Sequence, residues 1–445
     1  MIDPSIFGAY DVRGIYPETL NEDAAHAIGG AIIKHLGVSQ IAVGRDMRVS
    51  GPALAAALIA GMTEQGADVV DLGLTSTDEL YFAVGKFGYP AGAMVSASHN
   101  PAKYNGFKLC REQAQPISSE TGLKAIRDIA VGGKLPPKER RGTVHTRDVL
   151  NDFVKHALGF IDPSAVRPLR LCIDAGNGMA GLIIPEVMRY LPCTYRPLFF
   201  DLDGRFPNHQ ASPIEPENMV DVQRAVREDG ADLGVAFDGD ADRMFITDEH
   251  GALVGGDMVT ALVAKSLLTR YPCSTILYNL ICSRSVPELI EKMGGTAVRT
   301  RVGHSFIKAQ MRERNAIFGG EHSGHFYFRD NFYADSGLIA LLVVLELISR
   351  EGKPVSELIR VLDSRFRSGE VNSEVRDIPS RIQAVREHYA DGRQDDLDGL
   401  TVQYDDWWFN LRPSNTEPLL RLNVEADSRE LLERKRDEVL AVIRA

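Results

Sequence analysis

The chain has 445 residues, 44% of them hydrophobic and 25% charged, with a formal net charge of −11. At roughly 150 residues per domain this length predicts about three domains, with two or four also compatible. The acidic balance argues against a nucleic acid or an anionic membrane as the main partner, and leaves room for a small anionic substrate held by local arginines and lysines.

In chain order, the opening run MIDPSIFGAYDVRG has no basic stretch followed by an apolar core, so no signal peptide is expected. Within it, AYDVRGIYP (Ala9 to Pro17) reads as a strand or turn carrying Tyr10 and Arg13. Strand-like apolar runs then alternate with helical patterns, as in parallel α/β layers. Three times a helical stretch ends in glycine and passes into a short β-rich run: EQGADVVDLG (Glu64 to Gly73), REDGADLGVAFDGD (Arg227 to Asp240) and EKMGGTAVRTRVG (Glu291 to Gly303). Glycine there suits the left-handed cap that ends a helix. Earlier strands open each unit, IAVGRD near Ile41, LRLCIDAGNG near Leu169 and STILYNLICS near Ser274. The expectation is three related α/β domains with mixed sheets, spanning residues 1–148, 149–250 and 251–366, followed by a C-terminal α+β domain at 367–445. GGKLPPKERRG (Gly132 to Gly142) marks a surface loop, and a second break is expected near Glu249 to Gly256. The longest apolar run, Gly337 to Ile348, is interrupted by Glu346 and is too short to span a bilayer, so it reads as a buried helix. The five cysteines, Cys110, Cys172, Cys193, Cys273 and Cys282, form no Cys-x-x-Cys pair and read as reduced thiols of a cytoplasmic protein.

Four segments carry chemistry. In AGAMVSASHNPAKYNGFKL (Ala91 to Leu109) an apolar strand runs into Ser96, Ser98, His99, Asn100 and Pro101, which exposes a hydroxyl at the carboxyl edge of a sheet, where α/β proteins bind ligands. Ser98 is a candidate nucleophile. Its neighbour His99 does not make a hydrolase triad, because adjacent side chains need not face each other and no Gly-x-Ser-x-Gly elbow is present. Lys108 supplies positive charge or accepts a proton. In ADLGVAFDGDADRMFITDEHG (Ala231 to Gly251), Asp238, Asp240 and Asp242 follow a strand. Three carboxylates so close repel unless a cation holds them, and oxygen-only ligands suit Mg²⁺ or Ca²⁺. An EF-hand is excluded by Arg243 at the position that needs glycine. Arg243 pairs with the aspartates or with a phosphate.

In RVGHSFIKAQMRERNAIFGGEHSGHFYF (Arg301 to Phe328), Glu321, His322, Ser323, Gly324 and His325 crowd a loop after Gly319 and Gly320. Glutamate and serine suit neighbouring sugar hydroxyls, while the histidine spacing is not that of a known zinc pair. His304, read here in a Gly-His-Ser turn, is a second titratable candidate. In WWFNLRPSNTEPLLRLNV (Trp407 to Val424), Arg412, Ser414, Asn415 and Thr416 form a donor-rich loop suited to a phosphate dianion. The tryptophans read as core and rim of the strand.

These four loops, in this order, resemble the α-D-phosphohexomutase family, closest to its phosphomannomutase and phosphomannomutase/phosphoglucomutase branch. The similarity covers essentially the whole chain. It implies four domains around a central cleft, an isomerase moving phosphate between the 6- and 1-positions of a hexose, and Mg²⁺ with a hexose 1,6-bisphosphate activator. Mannose is the implied sugar, with glucose also accommodated and glucosamine phosphate as an alternative. It further implies that Ser98 is the phosphoserine, that Asp238, Asp240 and Asp242 ligate the metal with Ser98, and that Lys108, Arg243 and His304 are catalytic. Tyr10, Arg13, Glu321, Ser323, His325, Arg412, Ser414, Asn415 and Thr416 would bind substrate. The protein would be a monomer or homodimer, with no nucleic-acid or membrane partner. Two positions depart from the family pattern: Ser96 stands where threonine is usual, and His322 where sugar-promiscuous members often carry methionine. A haloacid-dehalogenase-like phosphatase with Asp238 as nucleophile, and a non-catalytic sugar-phosphate sensor, are the competing classes. The first expects Thr or Val where Asp242 stands, and the second would have lost a site residue.

Overall fold

A computed structural model describes residues 2–133, 135–414 and 419–445. Its strands form four sheets in succession along the chain. In the first, Ala91–Val95 lies between Gln40–Arg45, to which it is parallel, and Tyr104–Arg111, to which it is antiparallel. In the second, Arg170–Asp174 lies between Thr194–Leu198 and the middle strand Leu233–Phe237 and is parallel to both. Leu233–Phe237 then folds back antiparallel on Met244–Thr247. The third sheet joins Thr275–Asn279, Thr296–Thr300 and Phe318–Gly320 in parallel and ends in the antiparallel pair Phe326–Phe328 and Ala334–Asp335. The fourth is antiparallel throughout and packs the helices Ile378–His388 and Arg429–Arg444. Three mixed sheets and one antiparallel sheet with helices are the architecture expected from the alternation of patterns.

The repeated glycines do what their conformation allows. Gly66, Gly230 and Gly294 all have positive φ, at +85°, +58° and +77°, and each turns the chain from a helix into the next strand. An L side chain at these angles is strained, which is why this point in each unit carries glycine.

The cores divide differently from the sheets. The first and fourth units each bury their own apolar cluster. The second and third share a large one, which runs from Ile183 and Phe237 through Leu262 and Phe318 to the helix Gly337–Glu351 and also takes in Met47 and Phe82 of the first, and each keeps a smaller cluster of its own. Residues 337–349 of that helix are all buried, and Glu346 is neutralised there by Arg270 at 2.6 Å and Arg350 at 2.8 Å. Each fully buried Leu or Val contributes about 1.5–3 kcal/mol relative to exposure, so this helix fastens the two middle units together. Among the described residues no helix is long and apolar enough to cross a membrane. The five cysteines are free thiols. Trp408, expected at a strand rim, is buried like Trp407, because its indole N–H donates to the buried Glu425 at 2.8 Å.

Candidate active site

The serine loop leaves the fully buried strand Ala91–Val95 and turns sharply at Ser98, whose φ of +50° is uncommon for a residue with a Cβ. Something must hold that turn. The Ser98 N–H donates to Ser96 Oγ at 2.9 Å, so the serine standing in the usual threonine position keeps the needed hydroxyl. Beneath the loop lies Arg48, 1% exposed, whose guanidinium donates to the carbonyls of Ser98 (2.8 Å), Asn100 (2.6 Å), Pro101 (2.9 Å) and Tyr104 (2.8 Å). Asp46 pairs with its Nε at 3.3 Å, and the Phe206 ring from the second unit covers it at 5.1 Å. Sequence reading did not single out Arg48. The available signal was Asp-x-Arg directly after a strand, the same placement that marks the metal loop.

Ser98 Oγ donates to Asp238 Oδ2 at 2.7 Å. His99 Nδ1 lies 3.4 Å from Ser98 Oγ, and burial, with Arg243 and Arg13 nearby, holds its imidazole well below the usual histidine range. Arg243 donates to Asp238 Oδ2 from Nε at 2.9 Å and reaches Ser98 Oγ at 3.4 Å. Gly239 lets the two loops meet: a Cβ there would stand 2.6 Å from the Ser98 carbonyl oxygen.

The three aspartates are buried together, with ligand oxygens within 4.8 Å of one another. Lys108 Nζ bridges Asp240 and Asp242 at 2.6 Å each. Burial works against its charge, but the two carboxylates outweigh burial and hold the amine well above the usual lysine range. Burial and the neighbouring Asp240 push the Asp242 carboxyl up to about 6, whereas Lys108 and a hydroxyl donor overcome burial to hold Asp240 below the usual range. Asp240 Oδ1 and Asp242 Oδ1 are buried without a hydrogen-bond partner. Two unpartnered carboxylate oxygens in an all-oxygen cluster fit a hard divalent cation such as Mg²⁺.

The third unit closes over this pair of loops. Met244 N–H donates to the Gly324 carbonyl at 3.2 Å, and Arg243 bridges antiparallel to His325, so the metal loop and the sugar loop are joined as neighbouring strands. His325 donates from Nδ1 to Asp335 at 2.8 Å and lies 3.8 Å from Asp242. Burial lowers its pKa, but the two carboxylates outweigh burial and leave it raised. His304 is not in an isolated turn; it opens the helix His304–Arg314 after Gly303, whose φ is +130°. Desolvation and the Lys308 charge hold its imidazole well below the usual range, so it is neutral at pH 7. The Tyr10 ring lies 5.1 Å from that of His304. Glu321 is 2% exposed and accepts from Asn279, from Tyr327 and from the Gly303 N–H, which ties it to the turn before His304. Ser323 is half-buried in the same loop. Arg13 donates to Asn100 of the serine loop and pairs with Asp11 at 2.9 Å.

A cavity of about 50 Å³ is lined by Arg13, Ser98, Lys108, Asp242, Arg243, His304 and His325, together with Asp335, which sequence reading missed. Asp335 is pinned by Lys308 at 2.6 Å and owes its place wholly to tertiary approach. Arg412 stands apart in the fourth unit, on the strand Trp407–Pro413, and pairs with Glu370 at 2.8 Å. Arg421 pairs with the same carboxylate at 3.2 Å and donates to Ser414 Oγ at 3.2 Å. Asn415 and Thr416 lie outside the described residues.

Comparison with known proteins identifies the family. The phosphoglucomutase/phosphomannomutase alpha/beta/alpha domains I, II and III match residues 4–134, 151–251 and 255–365, and the C-terminal domain of the same family matches 370–442. The chain therefore belongs to the phosphoglucomutase/phosphomannomutase family, as an enzyme of the phosphohexomutase class. It is 42% identical to a protein named for phosphohexose mutases in Xanthomonas campestris, over 98% of this chain and 99% of that one. It is 40% identical to an Escherichia coli phosphomannomutase, over the full length of both. A crystal structure of a Burkholderia thailandensis phosphoglucomutase/phosphomannomutase family protein superposes with a TM-score of 0.91 at 34% identity, covering 100% of this chain and 98% of that one.

Proposed function

We propose that the protein interconverts hexose 6-phosphate and hexose 1-phosphate, with mannose as the preferred sugar and glucose also accepted, through a phosphorylated Ser98 and a hexose 1,6-bisphosphate. The observation that carries this reading is Ser98 Oγ 2.7 Å from Asp238, inside a buried cluster in which Asp240 Oδ1 and Asp242 Oδ1 lack hydrogen-bond partners. A serine so placed is suited to hold a phosphoryl group beside a divalent cation.

Asp238, Asp240 and Asp242 would hold Mg²⁺, which supplies charge neutralisation to the transferring phosphoryl group. Arg412, with Ser414, Asn415 and Thr416, grips the phosphate already on the sugar. Arg243, between Asp238 and Ser98, neutralises charge on the serine oxygen as its bond to phosphorus breaks. Lys108, held as an ammonium, acts as charge and not as proton acceptor. That leaves neutral His304, on the wall of the same cavity, to take the proton of the attacking sugar hydroxyl and to return it in the second transfer. The bisphosphate turns end for end, and Glu321 and Ser323 meet sugar hydroxyls in both poses, with Tyr10, Arg13 and His325 lining the approach. A trace of hexose 1,6-bisphosphate would prime any unphosphorylated enzyme.

The test is turnover of mannose 1-phosphate and glucose 1-phosphate with Mg²⁺ and trace bisphosphate, for the wild type and Ser98→Ala. Isomerisation by the wild type alone supports the reading, and the ratio of the two rates ranks the sugars. Release of free phosphate, or an unaffected Ser98→Ala, sinks it.

A further inference from the structure

Thr77 lies outside every segment that the sequence marked as chemical. It is the first residue of the helix Thr77–Phe87 and is fully buried. Its hydroxyl donates to Asp240 Oδ2, and its backbone N–H donates to the Asp240 carbonyl oxygen at 3.2 Å. One residue of the first unit thus fixes both the main chain and the carboxylate of an aspartate that is 163 residues away in the second.

Its own position is over-determined. Ser76 caps the helix in a reciprocal capping box with Glu79, and Asp78 accepts from Ser336 of the third unit at 2.7 Å. The carboxylate it meets is divided in role. Oδ2 takes two donors, the Thr77 hydroxyl and Lys108 Nζ at 2.6 Å, while Oδ1 is buried and unpartnered. A hydroxyl that can only donate to a carboxylate oxygen sets the rotation of that carboxylate, and groups that orient ligands in this way change metal affinity by about 10- to 100-fold.

We propose that Thr77 is a positioning residue for the divalent-cation site: it saturates Asp240 Oδ2 and leaves Oδ1 as the oxygen offered to the cation. The proposal rests on the metal reading above and assigns it a residue from the neighbouring unit.

Thr77→Val keeps the branched shape and removes the donor, and Thr77→Ser keeps the donor and trims the shape. Mn²⁺ would be titrated into the unphosphorylated full-length protein, following the free-ion electron paramagnetic resonance signal, with Mg²⁺ calorimetry in parallel. The expected result is a Kd about tenfold or more weaker for Thr77→Val and within about threefold of wild type for Thr77→Ser. Thr77→Ala should match Thr77→Val, and replaces it if that chain does not fold. Wild-type affinity in the valine and alanine variants, or an equal loss in the serine variant, overturns the proposal. A wild type that binds neither ion overturns the metal reading itself, which is a separate and distinguishable failure.

Discussion

The proposed reacting end of the site, where the first two units meet, and the proposed phosphate-gripping end in the fourth are held by different means. At the reacting end each charge is held by several bonds: buried Arg48 under four carbonyls of its own unit, Arg243 across Asp238 and Ser98, and Lys108 of the first unit across two aspartates of the second. At the gripping end, Arg412 and Arg421 share one carboxylate, Glu370, whose side chain is 23% exposed. Buried charges are costly to leave unpaired, and the Glu370 carboxylate is less fully buried than Asp238, Asp240 or Asp242. On the proposed mechanism the first arrangement would fix atoms for bond-making, and the second would exchange Glu370 for the substrate's phosphate.

The aspartates should show the largest effect. Asp240→Asn should lower mutase turnover by about 10³-fold, the loss of several kcal/mol of charge stabilisation, in a steady-state assay at saturating substrate. A fall of less than tenfold would remove the cluster from the mechanism. Next, Lys108→Met leaves Asp240 and Asp242 buried without their shared cation, and should destabilise the metal-free protein by about 3–5 kcal/mol in urea unfolding. Millimolar Mg²⁺ should restore part of that loss, because binding to the folded state alone stabilises it.

Much of the contrast was legible before the structure. Ser98, the three aspartates and Arg412 stand out because the residue types are themselves the chemistry. Gly66, Gly230 and Gly294 were visible as helix ends, because left-handed backbone selects glycine. Arg48, Thr77 and Asp335 were not. Thr77 acts on a group 163 residues away, for which local pattern carries no signal, and Arg48 left only an Asp-x-Arg after a strand. For the same reason the large cluster shared by the second and third units was not visible: periodicity shows that a face is buried, not what buries it. His304 read as part of a turn because Gly303 precedes it, yet that glycine is the residue before a helix.

Acid should sharpen the picture through Asp242. Burial and Asp240 raise its folded pKa from 3.8 to about 6. Between those values the metal-free folded state holds a proton that the unfolded chain has released. The contribution of this group to stability is therefore present at low pH and lost as pH rises through 6. Metal binding runs the other way, since the proton competes: Mg²⁺ affinity by calorimetry should be about fourfold weaker at pH 5.5 than at pH 7.5. An affinity flat across that range would place the Asp242 carboxyl outside the site. The smallest effect belongs to the gripping end. Glu370→Gln frees Arg412 and Arg421 and should lower the KM for hexose phosphate by no more than about fivefold, with kcat nearly unchanged. A large fall in kcat would mean that this end, too, fixes atoms for the reaction.

The most direct test follows the phosphoryl group. The enzyme is incubated with ³²P-labelled hexose 1,6-bisphosphate and Mg²⁺, digested, and its labelled peptide mapped; undigested labelled enzyme is then chased with unlabelled hexose 6-phosphate. The expected result is label on Ser98 that passes to the sugar during the chase. Label on Asp238, or label lost as free phosphate while the sugar stays unlabelled, would contradict it and favour a phosphatase built on the same cluster.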